Sequence, residues 1–257
     1  MKKIYKYDEA LNIYLESLIA QGFNIDKFSE FKFESIYNSE PSSYNSFTSW
    51  YKSALKVCSM EAELISFNDC KEWKFSDDNK KFYHSSGDFY EINCYRISGT
   101  KTREVESGWD QPFLRQVGDD GGILGVLRKK INGLPHYLVE AKQEPGNYNI
   151  VQVSSTLQAT FSNINRAHKG ASVRFSEYFT NPEENAAKVI FSQWMSEDGG
   201  RLFNKRNKVI LAEIDSDHEI IFDNRLYKWV SLYDIKKAII LENAIIAPHL
   251  RNLLSAL

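Results

Sequence analysis

Cysteine is scarce in this chain of 257 residues, and the three present, Cys58, Cys70 and Cys94, show no Cys-x-x-Cys spacing. An odd number so placed argues against a disulfide framework and against a zinc site, and leaves reduced core or surface thiols. Charge of one sign is also missing: 32 Lys and Arg stand against 34 Asp and Glu, for a formal net charge of −2 and a pI near 6.2. No overall field draws nucleic acid or an anionic membrane, so neither is expected as a partner and any anion site must be local. Long apolar runs are absent, with none near the ~18 residues of a membrane span, and Met1-Lys-Lys is followed by Ile-Tyr-Lys-Tyr-Asp-Glu, which interrupts a signal-peptide core. The expected location is the cytoplasm. Gly121, Gly122 and Gly125 fit neither a Walker A motif nor a dinucleotide fingerprint and read as turn glycines. What is present, 42% hydrophobic and 26% charged residues, suffices for one compact unit with an attached helical segment.

Along the chain, residues 8–20 place Leu11, Tyr14, Leu15, Leu18 and Ile19 on one helical stripe that Gln21-Gly22 ends. Residues 24–49 show no clear period and hold Pro41, so they read mostly as loop. Helical spacing returns over 47–66 through Trp50, Leu55 and Leu64. Residues 1–70 are thus expected as a helical segment packed on a main domain, 71–257. Strands begin at Trp73, with a hairpin punctuated by Ser85-Ser-Gly-Asp88. A second hairpin joins 123–128 to 135–143 across Asn132-Gly133, residues that tolerate positive φ. Ser155 and Gln158 have capping-box spacing for a helix burying Leu157, Phe161 and Ile164, and residues 183–197 read as another through Ala186, Ala187, Ile190, Phe191 and Trp194. Residues 207–214 form an apolar strand. Ser231-x-x-Asp234 opens a helix to Leu241, and Pro248 opens a last one carrying Leu250, Leu253 and Leu254.

The organising stretch is 109–170, centred on Leu138-Val-Glu-Ala-Lys-Gln-Glu-Pro-Gly-Asn147. Residues 136–143 read as a strand that stops at Glu144-Pro145-Gly146-Asn147, since proline cannot donate to a ladder and Pro-Gly-Asn is turn chemistry. Alternation puts Leu138, Glu140, Lys142 and Glu144 on one face, so two carboxylates flank one lysine. In isolation such a pattern suits a solvated edge strand. Its neighbours, however, are polar and weakly charged: Trp109 and Gln111 before it, then Gln152, Gln158, Thr160, Ser162, Asn163, Arg166 and His168.

Taken in order, His84-Ser-Ser-Gly-Asp-Phe-Tyr90, Trp109-x-Gln-Pro112, Gly121-Gly-Ile-Leu-Gly125, Glu140-Ala-Lys-Gln-Glu-Pro-Gly-Asn147, Val151-Gln-Val-Ser-Ser-Thr-Leu-Gln-Ala-Thr160, Ser162-Asn163, His168-Lys-Gly170 and Asn204-Lys-Arg-Asn207 resemble the nucleoside-diphosphate hexose 2,3-dehydratases, roughly over residues 73–230. The resemblance implies an α+β fold with a Nudix-like mixed β-sheet sandwiched by helices. Most members carry the unit twice and one copy is found here, which implies one pocket per chain and a homodimer that covers the surface a second unit would bury. The implied substrate is a nucleoside-diphosphate 4-keto-6-deoxyhexose, thymidine-linked, and the implied partner is a 3-ketoreductase that takes up the labile product. No redox cofactor and no metal are expected.

For that chemistry the resemblance implies Glu144 or Glu140 as base, Lys142 as oxyanion donor or acid, and His168 as shuttle for the leaving-group proton. Arg166, Lys205 and Arg206 are expected on the diphosphate. Trp109 and Tyr148 would stack on a base or sugar, while Gln111, Asn147, Gln152, Gln158, Thr160, Ser162, Asn163 and Asn207 would meet hydroxyls or the base edge. Plainer roles stay open: charge balance for Lys142, a solvated basic turn at 205–208, core packing for the aromatics and structural hydrogen bonds for the amides. Two other functions also stay open, a non-catalytic nucleotide-sugar-binding protein and a Nudix-type hydrolase, although the Gly and Arg-Glu positions of a Nudix box are missing around Glu183-Glu184.

Overall fold

The computed structural model describes residues 6–38, 40, 42–118, 121–165, 172–241, 244–255 and 257. Three helices come first: α1 (Tyr7–Ala20), α2 (Ser29–Ile36) and α3 (Ser43–Val57). Helix α2 replaces an expected loop. Its buried residues are Ser29, Phe31, Phe33 and Glu34, and two polar residues among four hide the period from a hydrophobicity pattern. Helix α3 buries Phe47, Tyr51 and Ala54 and stops at Val57, short of the expected 66. Leu64 lies beyond it and is 99% exposed, so the apparent helical spacing there had no core to face.

A four-stranded antiparallel sheet follows in chain order: β1 (Trp73–Phe75), β2 (Lys81–His84), β3 (Tyr90–Ile97) and β4 (Trp109–Gln116). The larger sheet contains β5 (Gly122–Ile131), β6 (Leu134–Gln143), β7 (Val151–Ser154) and β8 (Leu157–Thr160). After two short helices, α4 (Phe161–Ile164) and α5 (Glu177–Thr180), it is completed by β9 (Ala187–Ser196), β10 (Arg206–Ile214) and β11 (Tyr227–Val230). Helices α6 (Leu232–Leu241) and α7 (Pro248–Leu254) end the chain. Strand order is β11-β6-β5-β10-β9, with β7 on β6 and β8 on β5, and the β5–β10 pair is parallel in an otherwise antiparallel sheet. The architecture is therefore α+β with a mixed sheet. One face packs Phe47 and Tyr51 of α3, Ile235 of α6 and Leu250 of α7 over Val126, Val139 and Leu211. The other packs Phe175, Tyr178 and Phe179 over Leu127, Leu138 and Ile210.

Asn132 at φ 52° and Gly133 at φ 79° make the β5–β6 turn, the left-handed pair that a two-residue hairpin needs. Gly122 and Gly125 are not turn residues but sit inside β5. A Cβ on Gly122 would lie 2.3 Å from the Ala159 carbonyl oxygen, and one on Gly125 would lie 2.6 Å from the Phe179 ring, so close approach explains them. The helix expected from Ser155 is strand β8, and the helix begins at Phe161 with Thr160 as its cap, accepting from the Asn163 amide. Ser155 and Thr156 instead hold the β7–β8 turn: Ser155 Oγ donates to Leu157 O, and Thr156 Oγ1 donates to Leu138 O and accepts from Leu127 N.

Residues 187–196, expected as a helix, form β9. A β-bulge pairs Phe191 with Leu211 and Val189 with Ala212, so Ile190 is extra. The extra residue inverts alternation, and Ala187 and Phe191 pack on opposite faces of the sheet. Apolar residues four apart then mimic a helical repeat. Among the described residues, no helix is long and apolar enough to cross a membrane.

Candidate functional site

A cavity of about 450 Å³ opens where the two sheets meet. The β9–β10 connection is stitched to β4, because Leu114 N donates to Arg201 O at 2.9 Å and Phe203 N donates to Leu114 O at 3.0 Å. That stitching brings Glu197, Leu202 and Lys205 against Tyr90 of β3 and Leu114 of β4. From the larger sheet come Leu124, Gln158 and Thr160, with Asn163 at the edge. Glu144 enters from the end of β6 and His249 from the first turn of α7. The volume lies within the ~300–1,000 Å³ usual for small-molecule sites.

Local structure fixes each of these groups. Beyond β6, Glu144 N donates to Ile150 O at 2.8 Å and Asn147 N to Glu144 O at 3.1 Å, closing the turn that the Pro-Gly-Asn run dictates. Lys142 Nζ sits 3.8 Å from Glu140 and 3.7 Å from Glu144, the flanked lysine that strand alternation requires. Lys205 is buried and donates to Gln116 Oε1. Asn207, also buried, donates from its side-chain amide to Glu197 Oε1, and His249 Nε2 lies 3.3 Å from the same oxygen. Burial, followed by the charges of Glu197 and Glu144, pushes the Tyr90 hydroxyl above its ordinary range, so Tyr90 keeps its proton between two carboxylates.

Of the residues expected at a site, Glu144, Gln158, Thr160, Asn163, Lys205 and Asn207 meet in this cavity. Glu140 is not part of the cavity lining and lies across from Tyr227 in the β6–β11 register. There burial pushes its carboxyl above the usual range, against the pull of Lys142 and of the Tyr227 hydroxyl. Lys142 bridges the two environments without lining the cavity. Gln152 gives its amide to Ala244 O at 2.6 Å, and Asn147 gives its own to Lys142 O and Ile150 O. On β4, Trp109 Nε1 donates to Gln111 Oε1 at 2.8 Å, while Gln111 donates to Gly200 O. Tyr148 is 80% exposed, and Ser162 pairs with Thr160 at 2.9 Å. Arg206, adjacent to Lys205 and exposed, sits 4.7 Å over the Trp194 ring. Arg166 and His168 lie outside the described residues.

Tyr90, Glu197 and His249 belong to the cavity and were not singled out by sequence. Tyr90 closes the His84–Tyr90 motif, but Glu197 is the last residue of the 183–197 stretch whose spacing suggests a helix, and His249 stands out only as the residue after a helix-opening proline. Among the described residues, no group of three or more His, Cys, Asp or Glu side chains is placed to hold a metal ion.

A carboxylate from Glu144, the ammonium of Lys205 and the amides of Gln158, Asn163 and Asn207 thus surround one small-molecule-sized space. The family model for NDP-hexose 2,3-dehydratase matches residues 44–257, which include every wall of this cavity. The chain belongs to the NDP-hexose 2,3-dehydratase family. Among its family relatives, the dTDP-4-dehydro-6-deoxy-alpha-D-glucopyranose 2,3-dehydratase of Amycolatopsis orientalis is 35% identical over 198 residues, 76% of this chain and 40% of the relative. The enzyme of the same description from Saccharopolyspora spinosa is 30% identical over 211 residues, 82% of this chain and 41% of its own length. The chain thus spans about two fifths of the length of these curated 2,3-dehydratases. Among solved structures, a C. elegans Ap4A hydrolase binary complex aligns at a TM-score of 0.31 and 13% identity over 52% of this chain and 92% of that one. So slight a likeness carries no argument.

Proposed function

We propose that this chain eliminates water across C2 and C3 of a nucleoside-diphosphate 4-keto-6-deoxyhexose, thymidine-linked, giving the 2-deoxy-3,4-diketo sugar. The observation that carries the reading is the dehydratase family match over residues 44–257, and the groups gathered in the cavity support it. The C4 ketone acidifies the C3 proton. Glu144 takes that proton, held in place by its turn and by Lys142. Negative charge then develops on the C4 oxygen, where the protonated Tyr90 hydroxyl is the donor within the cavity. Lys205 meets the diphosphate as a point charge, and Gln158, Asn163 and Asn207 meet sugar hydroxyls. Neither cofactor nor metal enters these steps.

The wider reading is that of a Nudix-like sandwich with residues 1–70 packed on a domain of 71–257. Helices on both faces of a mixed sheet support the first part. Three free cysteines suit a cytoplasmic setting, and a 3-ketoreductase is the class of enzyme that consumes so labile a product. A homodimer is part of the same reading, and light scattering at micromolar concentration should give twice the monomer mass. A monomer mass would refute it.

The decisive assay incubates the chain with dTDP-4-keto-6-deoxyglucose and a coupled 3-ketoreductase. A reduced 2-deoxy sugar nucleotide is the expected product. Intact substrate that nevertheless binds would favour a non-catalytic nucleotide-sugar-binding protein, and release of thymidine monophosphate would favour a hydrolase.

A further inference from the structure

We propose that His249 is the general acid of this elimination, giving its proton to the C2 hydroxyl as it leaves, and that Glu197 positions the imidazole. The inference rests on the dehydratase reading. Removing the C3 proton accounts for half of the elimination, because hydroxide is a poor leaving group and needs a proton as the C2–O bond breaks. Glu144, as the base, is already committed at C3.

The other cavity groups are engaged. Lys205 donates to Gln116, Glu197 accepts from Asn207, and Tyr90 keeps its proton for the C4 oxygen. Among the described lining residues, His249 is the histidine, the side-chain type suited to passing a proton near neutrality. Its geometry is that of an oriented acid. Nε2 lies 3.3 Å from Glu197 Oε1, which leaves Nδ1 to serve a substrate oxygen. Carboxylate–imidazole pairs of this kind fix the ring's direction and stabilise it when protonated. The support continues behind the pair. Asn207 anchors the carboxylate, and Leu250, Leu253 and Leu254 bury the helix that carries the imidazole. Just before it, Val153 N donates to Ile245 O at 2.8 Å and Ala247 N to Val153 O at 2.9 Å, which fastens the helix's approach to β7.

The step balances as follows. The C3–H bond breaks with its proton going to Glu144 and its electron pair to the C4 enolate. The enolate returns that pair to form the C2=C3 bond, the C2–O bond breaks, and the departing oxygen takes the His249 proton to leave as water. Tautomerisation of the resulting enol, with a solvent proton to C2, yields the diketo sugar.

Acid and base roles separate experimentally, because a variant without the acid stalls at the enolate. In D₂O the full chain carrying His249→Gln is expected to exchange the C3 proton of dTDP-4-keto-6-deoxyglucose for deuterium and return the sugar, while elimination falls by ~10²-fold or more. A 2-deoxy-2-fluoro analogue of that substrate, whose fluoride leaves without a proton, should restore elimination in His249→Gln to near the wild-type rate. Glu197→Gln should lower kcat with KM kept and show the same rescue, which a merely structural role would not produce. His249→Gln and His249→Asn that still bind dTDP but lose exchange and elimination together would overturn the proposal, since the histidine would then serve the C3 step. Undiminished elimination in either variant would overturn it too. A wild-type chain that neither exchanges nor eliminates would sink the dehydratase reading itself, and this role with it.

Discussion

Under the proposed dehydratase reading, Glu144 and Lys205 meet the substrate because of where they stand in the cavity wall, more than because of their residue type. Glu144→Gln preserves the shape of the turn after β6 and removes the base, so turnover should fall by ~10²-fold or more while nucleotide-sugar binding survives. Near-normal turnover would move the base elsewhere, with Glu140 next to test. Lys205 and Arg206 are adjacent in sequence but stand in different surroundings, one in the cavity wall and one over Trp194. Lys205→Ala should therefore weaken dTDP binding by roughly 1.5–3 kcal/mol, the worth of a charge-assisted hydrogen bond. Arg206→Ala should stay within about ±0.5 kcal/mol, as surface substitutions usually do. Calorimetric titration of both variants checks the contrast, and the reverse ranking would put the diphosphate on the outer side of β10.

At the scale of elements, β5 depends on what it lacks. Its Gly122 faces the backbone of β8, so Gly122→Ala has no flexible neighbour to displace and should cost at least the ~1–3 kcal/mol of an overpacked core. Chemical denaturation would read this as a lower midpoint, and an unchanged midpoint would mean that β8 can shift away. The fate of this strand pair illustrates what was legible. The β5–β6 hairpin and the stop after β6 were readable because Asn-Gly and Pro-Gly-Asn act locally. β9 was not, since a bulge visible only in its pairing with β10 disguised a strand as a helical repeat. Nor was α2, whose buried Glu34 makes sense only beside Arg128. The site divides the same way. Glu144 followed from its turn, whereas Glu197 and His249 acquire meaning through each other, across a separation in sequence that no motif spans.

For the whole molecule, the contact between the first helices and the sheet turns on Arg128, whose side chain is 4% exposed. It meets Glu34 and Glu30 of α2 at 2.6 Å each and Glu213 of β10, and Tyr137 donates to Glu34 at 2.7 Å. Arg128→Leu would strand a buried carboxylate and should cost ~3–5 kcal/mol in urea unfolding. A loss under ~0.5 kcal/mol would mean that water reaches these carboxylates. Burial pushes the Glu34 carboxyl above its ordinary range despite Arg128, so the folded state holds that proton more tightly than the unfolded one. Its contribution is then complete below the ordinary carboxylate pKa and lost as pH rises through the folded value. Wild type should accordingly lose ground to Glu34→Gln in melting temperature as pH rises towards neutrality, and a constant difference would disprove the linkage. The parallel β5–β10 pair has a consequence of another kind, in time. One edge of β5 is occupied by β6 and β8, which follow it closely, but its other edge must wait for residues 206–214. During synthesis a strand whose first seven residues are buried in the finished sheet therefore stays half-bare while roughly eighty further residues emerge, and that interval is when a chaperone would find this chain and when aggregation would compete with folding.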